Sequence, residues 1–188
     1  MDSTHLQGSE RDALLPLMRG AMRFGTFTLS SGATSDFYFD GRQVTLDPRA
    51  MAAIGRLVHQ QTSDSDGITA VGGPTLGADP LATAVALIGA LEFDRTWHAF
   101  LVRAEAKKYG AGKQIEGPAL GPASRVLLIE DTVTSGGSVL RAAEAVRETG
   151  AVIVRAIALL DREEGAAAAF AAAGIPFTAL FRRSEFAA

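Results

Sequence analysis

Two adjacent carboxylates, Glu130 and Asp131, stand between an apolar run and a cluster of small hydroxyl and glycine residues, in the segment VLLIEDTVTSGGSVL from Val126 to Leu140. Val126, Leu127, Leu128 and Ile129 form a short continuous apolar run. Such a run predicts a parallel strand covered on both faces, with the acids at its carboxyl end. Thr134, Ser135, Gly136, Gly137 and Ser138 come next, and the spacing of Val139, Leu140, Ala143 and Val146 then predicts a helix ending at Gly150. Glycines let the backbone approach an anion, amides at a helix start point at it, and hydroxyls add donors, so the unit suits a phosphate. Carboxylates touching that phosphate would repel it, but they suit the vicinal hydroxyls of a ribose whose 5-phosphate sits in the loop. The segment has neither the GxxxxGK(S/T) spacing of a nucleotide P-loop nor the GxGxxG of dinucleotide folds. An ordinary strand-to-helix turn with a solvated acidic pair is the plain alternative.

Other segments carry matching chemistry. In GGPTLGADP, Gly72, Gly73 and Gly77 permit close backbone approach and Thr75 adds a hydroxyl, so the main chain through Gly73, Thr75, Leu76 and Gly77 could cradle a diphosphate. A tight structural turn is the other reading. RAEAKKYGAGKQIEG sets Arg103, Lys107, Lys108 and Lys113 among glycines. A cationic loop there could close over a diphosphate and neutralise its developing charge, unless the lysines are simply solvated. Arg162 follows an apolar run and lies among Asp161, Glu163 and Glu164. Its planar guanidinium suits a carboxylate ligand, or a surface ion pair.

The elements that must position these residues follow from periodicity. Ser9 followed by Asp12 marks a helix start leading into Leu14, Leu15, Leu17, Met18 and Met22, with Pro16 expected to bend or delay it. Phe24 to Leu29 and Asp36 to Asp40 read as two short strands around a serine- and glycine-rich turn, and Pro48 to Gln61 as an amphipathic helix. From Ile68 onward strands and helices alternate: ITAVGG, a helix over Leu81 to Leu91, strands at Trp97 to Val102 and Arg125 to Glu130, a strand at Val152 to Leu160, a helix at Glu164 to Ala173, and a strand at Phe177 to Phe181. That alternation predicts an α/β fold with a mostly parallel central sheet flanked by helices. Ligands of such sheets bind beyond the carboxyl ends of the strands, where the loops named above converge. The one long irregular interval, Ala104 to Ser124, is of a length more often functional than connecting.

The chain has 188 residues, 47% of them hydrophobic, enough for one well-buried domain and short for two, so residues 1–188 are expected to form a single domain. With 18 basic and 21 acidic residues the net charge is −3, and no basic field points to nucleic acid. There are no cysteines, which excludes disulfides, thiolate catalysis and cysteine-based zinc sites. The polar amino terminus is unlike a signal sequence and no apolar run approaches ~18 residues, so a cytoplasmic protein without a membrane partner is expected.

The strand, acid pair and Thr/Ser/Gly loop closely resemble the phosphoribosyl-diphosphate (PRPP) motif of type I phosphoribosyltransferases. RAEAKKYGAGKQIEG resembles the catalytic loop of orotate phosphoribosyltransferases, R-K-E-x-K-x-H-G followed by I-E-G, through Arg103, Glu105, Lys107, Gly110, Ile115, Glu116 and Gly117. FTLSSGATSDFYFDGRQVTLDP resembles the amino-terminal signature of the same enzymes, and Asp161 to Gly165 their D-R-x-E-G. Ala104, Tyr109 and Ser30 depart from the usual lysine, histidine and lysine.

The resemblance implies the type I phosphoribosyltransferase fold with a small hood drawn largely from residues 1–45 and a mobile catalytic loop at about 104–120. It further implies transfer of ribose 5-phosphate from PRPP to orotate, with Arg103, Lys107, Lys108 and Asp131 as catalytic residues. Gly73, Thr75, Leu76, Gly77, Glu130, Asp131, Thr134, Ser135, Gly136, Gly137 and Ser138 would hold PRPP. Tyr38, Phe39, Thr134 and Arg162 would hold orotate, although periodicity alone equally allows Tyr38 and Phe39 to be core strand aromatics. Mg²⁺ would arrive on PRPP near Glu130 and Asp131, without direct protein ligands, and the loop would be shared across a homodimer. A phosphoribosyltransferase for another base, or a non-catalytic PRPP-binding regulator, are the competing readings.

Overall fold

The computed structural model describes residues 3–28, 34–105 and 114–186. Helix α1 (Ser3–Ala21) leads into the antiparallel pair β1 (Met22–Thr28) and β2 (Thr34–Phe39), which form a two-stranded sheet. The helix starts six residues before the expected Ser9 and continues through Pro16, which removes only the bond to the carbonyl of Asp12. Leu14 and Met18, both fully buried, anchor its carboxyl-terminal half. A four-residue turn of helix, α2 (Arg42–Thr45), connects to α3 (Pro48–Gln60). Asp47 caps α3 by accepting the Arg49 and Ala50 amides at 2.9 and 3.0 Å, and Pro48 occupies the first turn, where its missing N–H costs nothing.

The main sheet is built from β3 (Ala70–Pro74), β4 (His98–Val102), β5 (Ile115–Glu116), β6 (Arg125–Val133), β7 (Val152–Asp161) and β8 (Phe177–Arg182). Its order is β5-β4-β3-β6-β7-β8, parallel except for the edge strand β5. Helices α4 (Ala78–Glu92), α5 (Gly137–Glu148) and α6 (Ala166–Ala172) follow β3, β6 and β7. The apolar run of β6 is divided between the faces as a pleated strand requires. Leu127 and Ile129 join α1, α3 and α4 in one core, while Val126 and Leu128 join α5 and α6 in the other.

Strand β6 extends to Val133, past the expected end at Glu130, because its ladder with β7 continues through Thr132 opposite Leu160 and Val133 opposite Asp161. Chain direction around the sheet reverses between β3, which is followed by β4 on one side, and β6, which is followed by β7 on the other. A crevice beyond the carboxyl ends of two such strands is the general ligand position of open α/β sheets. No helix among the described residues is long and apolar enough to cross a membrane.

Candidate active site

A cleft of about 680 Å³ opens above that reversal point, lined among others by Thr75, Leu76, Gly77, Arg103, Glu130, Asp131 and Ser138. Three separate segments of the sequence reading thus meet in one place: the glycine-rich loop after β3, the residue after β4, and the acids of β6 with the loop beyond them. Ala104, Arg42, Gln114 and Arg141 also line it.

The acidic pair is packed directly against the β3 loop. A Cβ added at Gly77 would fall 2.4 Å from Glu130 Oε1 and 2.6 Å from Asp131 Oδ1, so only glycine fits there without displacing the carboxylates. Gly73 is held equally close to the neighbouring strand, 2.0 Å from the Ile129 carbonyl by the same construction. The Thr75–Leu76 peptide is cis. Helix α4 begins at this loop with no side-chain cap, and Leu76 projects into solvent.

Glu130 is buried, with 7% of its surface exposed, and its Oε1 accepts the Asp131 amide at 3.2 Å. Burial first, and the Asp131 charge second, push the Glu130 carboxyl up to about 9, so it is neutral in the free protein at physiological pH. Burial also raises the Asp131 carboxyl, opposed by its contacts with the Thr132 and Glu130 groups and by the charge of Arg42. Asp79, in the first turn of α4, is a third carboxylate raised by burial and adds to the pressure on Glu130. The site therefore holds three carboxyl groups whose protonated form burial favours, with Glu130 shifted furthest.

Beyond them lies a recess of about 30 Å³ lined by Thr134, Gly136, Gly137 and Ser138 together with Glu130 and Thr132. Gly136 adopts φ +80° and packs on Phe170, turning the chain so that α5 starts at Gly137 with no side chain capping its first amides. Thr134, Ser135 and Ser138 are exposed around this uncapped helix start. Backbone donors and hydroxyls thus converge on a small hollow, the arrangement that binds a phosphate.

The hood residues differ from one another. Phe37 is fully buried, while Tyr38 is 43% exposed and Phe39 half-buried, so Tyr38 is not a core aromatic. Phe39 ends beside the acids: a Cβ at Gly41 would sit 3.1 Å from its ring and 3.2 Å from Asp131 Oδ2. Arg162 lies at the end of β7, its side chain 10% exposed, its Nη2 paired with Glu164 at 2.9 Å and its guanidinium 5.2 Å from the Phe37 ring centre. It is thus ion-paired as one reading expected, yet more enclosed than a surface pair, and it stands between the hood and the sheet rather than on the wall of the large cleft. Lys107, Lys108, Lys113 and Tyr109 of the cationic loop, and Ser30 of the hood, lie outside the described residues.

Arg42, Arg141, Gln114 and Thr132 line the cleft without having been singled out from the sequence. Arg42 sits in the short helix after the hood, and Arg141 at the third position after Ser138, a spacing that puts both on one helix face. That spacing was the signal available for Arg141.

Among the described residues no group of three or more His, Cys, Asp or Glu side chains could hold a metal ion. The chemistry of the adjacent Glu130 and Asp131 carboxylates fits a divalent ion carried on a ligand's phosphates rather than one caged by the protein.

A doubly wound sheet with an acid pair and an uncapped helix start at its reversal point fits the phosphoribosyltransferase class, and the phosphoribosyl transferase domain model matches residues 42–170. Orotate phosphoribosyltransferase of Rhodopseudomonas palustris (strain TIE-1) is 44% identical over 165 residues, covering 86% of this chain and 87% of that protein. Among solved structures, orotate phosphoribosyltransferase of Mycobacterium tuberculosis H37Rv, with Fe(III) dicitrate, superposes with TM-score 0.82 at 40% identity, over 95% of this chain and 99% of the other. The same enzyme with PRPP gives TM-score 0.79 at 35% identity, over 98% and 96%. This chain belongs to the phosphoribosyltransferase family, in its orotate phosphoribosyltransferase branch.

Proposed function

We propose that the protein transfers the 5-phosphoribosyl group of PRPP to N1 of orotate, releasing diphosphate and forming orotidine 5′-phosphate, a step of de novo pyrimidine nucleotide synthesis. The observation that carries the reading is the Glu130–Asp131 pair, wedged against Gly77 on one side and the uncapped start of α5 on the other. That spacing of groups fits a ribose between its 5-phosphate and its diphosphate.

In this reading the hydroxyls and amides of residues 134–138 hold the 5-phosphate, and the main chain of residues 73–77 takes the diphosphate. The protonated Glu130 can donate to a ribose hydroxyl while Asp131 accepts from one. As the bond from C1 of the ribose to the diphosphate oxygen breaks, the bond to N1 of orotate forms and the N1 proton passes through solvent to the departing diphosphate. Positive charge builds on the ribose ring, beside Asp131, and negative charge on the departing diphosphate, which Arg103, Lys107 and Lys108 are suited to neutralise. Mg²⁺ bound to PRPP would supply further neutralisation of the diphosphate. Tyr38, Phe39 and Thr134 would contact the base and Arg162 its carboxylate.

The chain would act as a single domain and as a homodimer whose cationic loop serves the partner's site, in the cytoplasm, where PRPP and orotate are its small-molecule partners. Leu46, at the end of α2, is an exposed apolar side chain that such an interface could cover. Diphosphate release measured with orotate, uracil and purine bases in parallel tests the base assignment. Turnover confined to orotate is expected. Turnover with uracil or a purine at comparable kcat/KM would assign a different base, and PRPP binding without turnover on any base would assign a regulator.

A further inference from the structure

We propose that Arg141 is a phosphate-positioning residue whose guanidinium closes the hollow of residues 134–138 over the 5-phosphate. The proposal rests on the phosphoribosyl reading of the cleft. It answers a deficit of charge: the loop itself contains hydroxyls and glycines but no cation, and Glu130 lines the same hollow. A phosphate monoester carries a charge of about −1.5 to −2 near neutral pH, which hydroxyls and amides alone offset only in part.

Among the described residues Arg141 bonds to Ser138, which lines both the hollow and the larger cleft. Its Nη2 donates to Ser138 Oγ at 3.2 Å, and its Nη1 lies 3.5 Å from where a Cβ on Gly137 would stand, above the first turn of α5. That turn has no side-chain cap, and Arg141 lines the cleft together with Ser138 of the same turn. The other arginines of the cleft are engaged elsewhere: Arg103 with Glu116 at 3.5 Å, and Arg42 beside Asp131. A guanidinium has five N–H groups, so the bond to Ser138 orients the fork and leaves donors for two phosphate oxygens. The helix thus presents its dipole, its free amides and a full positive charge within one turn.

The test compares wild type with Arg141→Gln, using ribose 5-phosphate and inorganic diphosphate as separate competitive ligands against PRPP. Loss of a charge-assisted bond predicts ribose 5-phosphate binding weaker by about 10- to 100-fold. Diphosphate affinity should change less than about threefold, which also confirms that the variant cleft is intact. KM for PRPP should rise with kcat kept within about threefold, the pattern of lost uniform binding. Unchanged ribose 5-phosphate affinity, or an equal loss for both ligands, would overturn the role assigned to Arg141. A wild-type protein that does not bind ribose 5-phosphate at all would instead overturn the phosphoribosyl reading.

Discussion

Replacing Glu130 by glutamine should change the way stability depends on pH, by an amount that linkage fixes. Glu130 is nearly inaccessible, and burial with the Asp131 charge moves its carboxyl from the ordinary 4.5 up to about 9. Between those values the folded protein holds a proton that the unfolded chain releases. A raised carboxyl is at no disadvantage below about pH 4.5, and costs the fold progressively as pH climbs towards about 9. The slope is about 1.4 kcal/mol per pH unit. Glutamine has the same shape and no proton to lose, so Glu130→Gln escapes this loss. The stability difference between variant and wild type should therefore widen by about 3 kcal/mol from about pH 6 to about pH 8. With an m-value of about 2 kcal/mol/M, the gap between urea midpoints widens by roughly 1 to 2 M. Urea titrations at three pH values across this range suffice. Midpoints that stay parallel would mean that Glu130 is already ionised in the free protein, and the division of roles between the two acids would fail with it.

Three further substitutions probe the geometry. Gly77→Ala drives a methyl group to 2.4 Å from Glu130 Oε1, so kcat/KM for PRPP should fall at least about 100-fold while the melting temperature drops only a few degrees; near-normal kinetics would show the acids free to move aside. Arg162→Gln should raise KM for orotate about 10- to 100-fold and leave PRPP affinity within about threefold, as measured by initial rates with each substrate varied; an equal loss for both substrates would assign Arg162 to the fold. Gly136→Ala puts a side chain at φ +80° and 3.3 Å from the Phe170 ring, and should cost about 1 to 3 kcal/mol in urea unfolding; an unchanged midpoint would mean the loop relaxes without strain.

The acid pair and the loop beyond it are legible in the sequence because a buried parallel strand leaves an unbroken apolar run, Val126 to Ile129, and the chemistry begins where that run stops. Asp47, Pro48 and Ile54 make α3 equally plain. The elements without such marks are those decided by neighbours. Strand β5 is two residues long and exists because it pairs with Leu101 and Val102, and α2 is a single turn held under the hood. The amino-terminal helix begins earlier than Ser9, in a stretch with too few apolar residues to show a period. Among FYF, alternation puts Phe37 on one face and Tyr38 on the other, but only the packing of that two-stranded sheet on the core of Leu14, Met18 and Val44 selects Phe37 as the buried one. Arg42 and Arg141 look like any solvated helix cation until the fold brings their helices to the cleft.

The most direct measurement is orotidine 5′-phosphate formation by the purified protein from orotate, PRPP and Mg²⁺, with diphosphate followed in the same reaction. The account predicts one diphosphate released per orotate consumed, and loss of turnover when Asp131 is replaced by asparagine. PRPP bound with no orotidine 5′-phosphate formed, or turnover that survives Asp131→Asn unchanged, would contradict it.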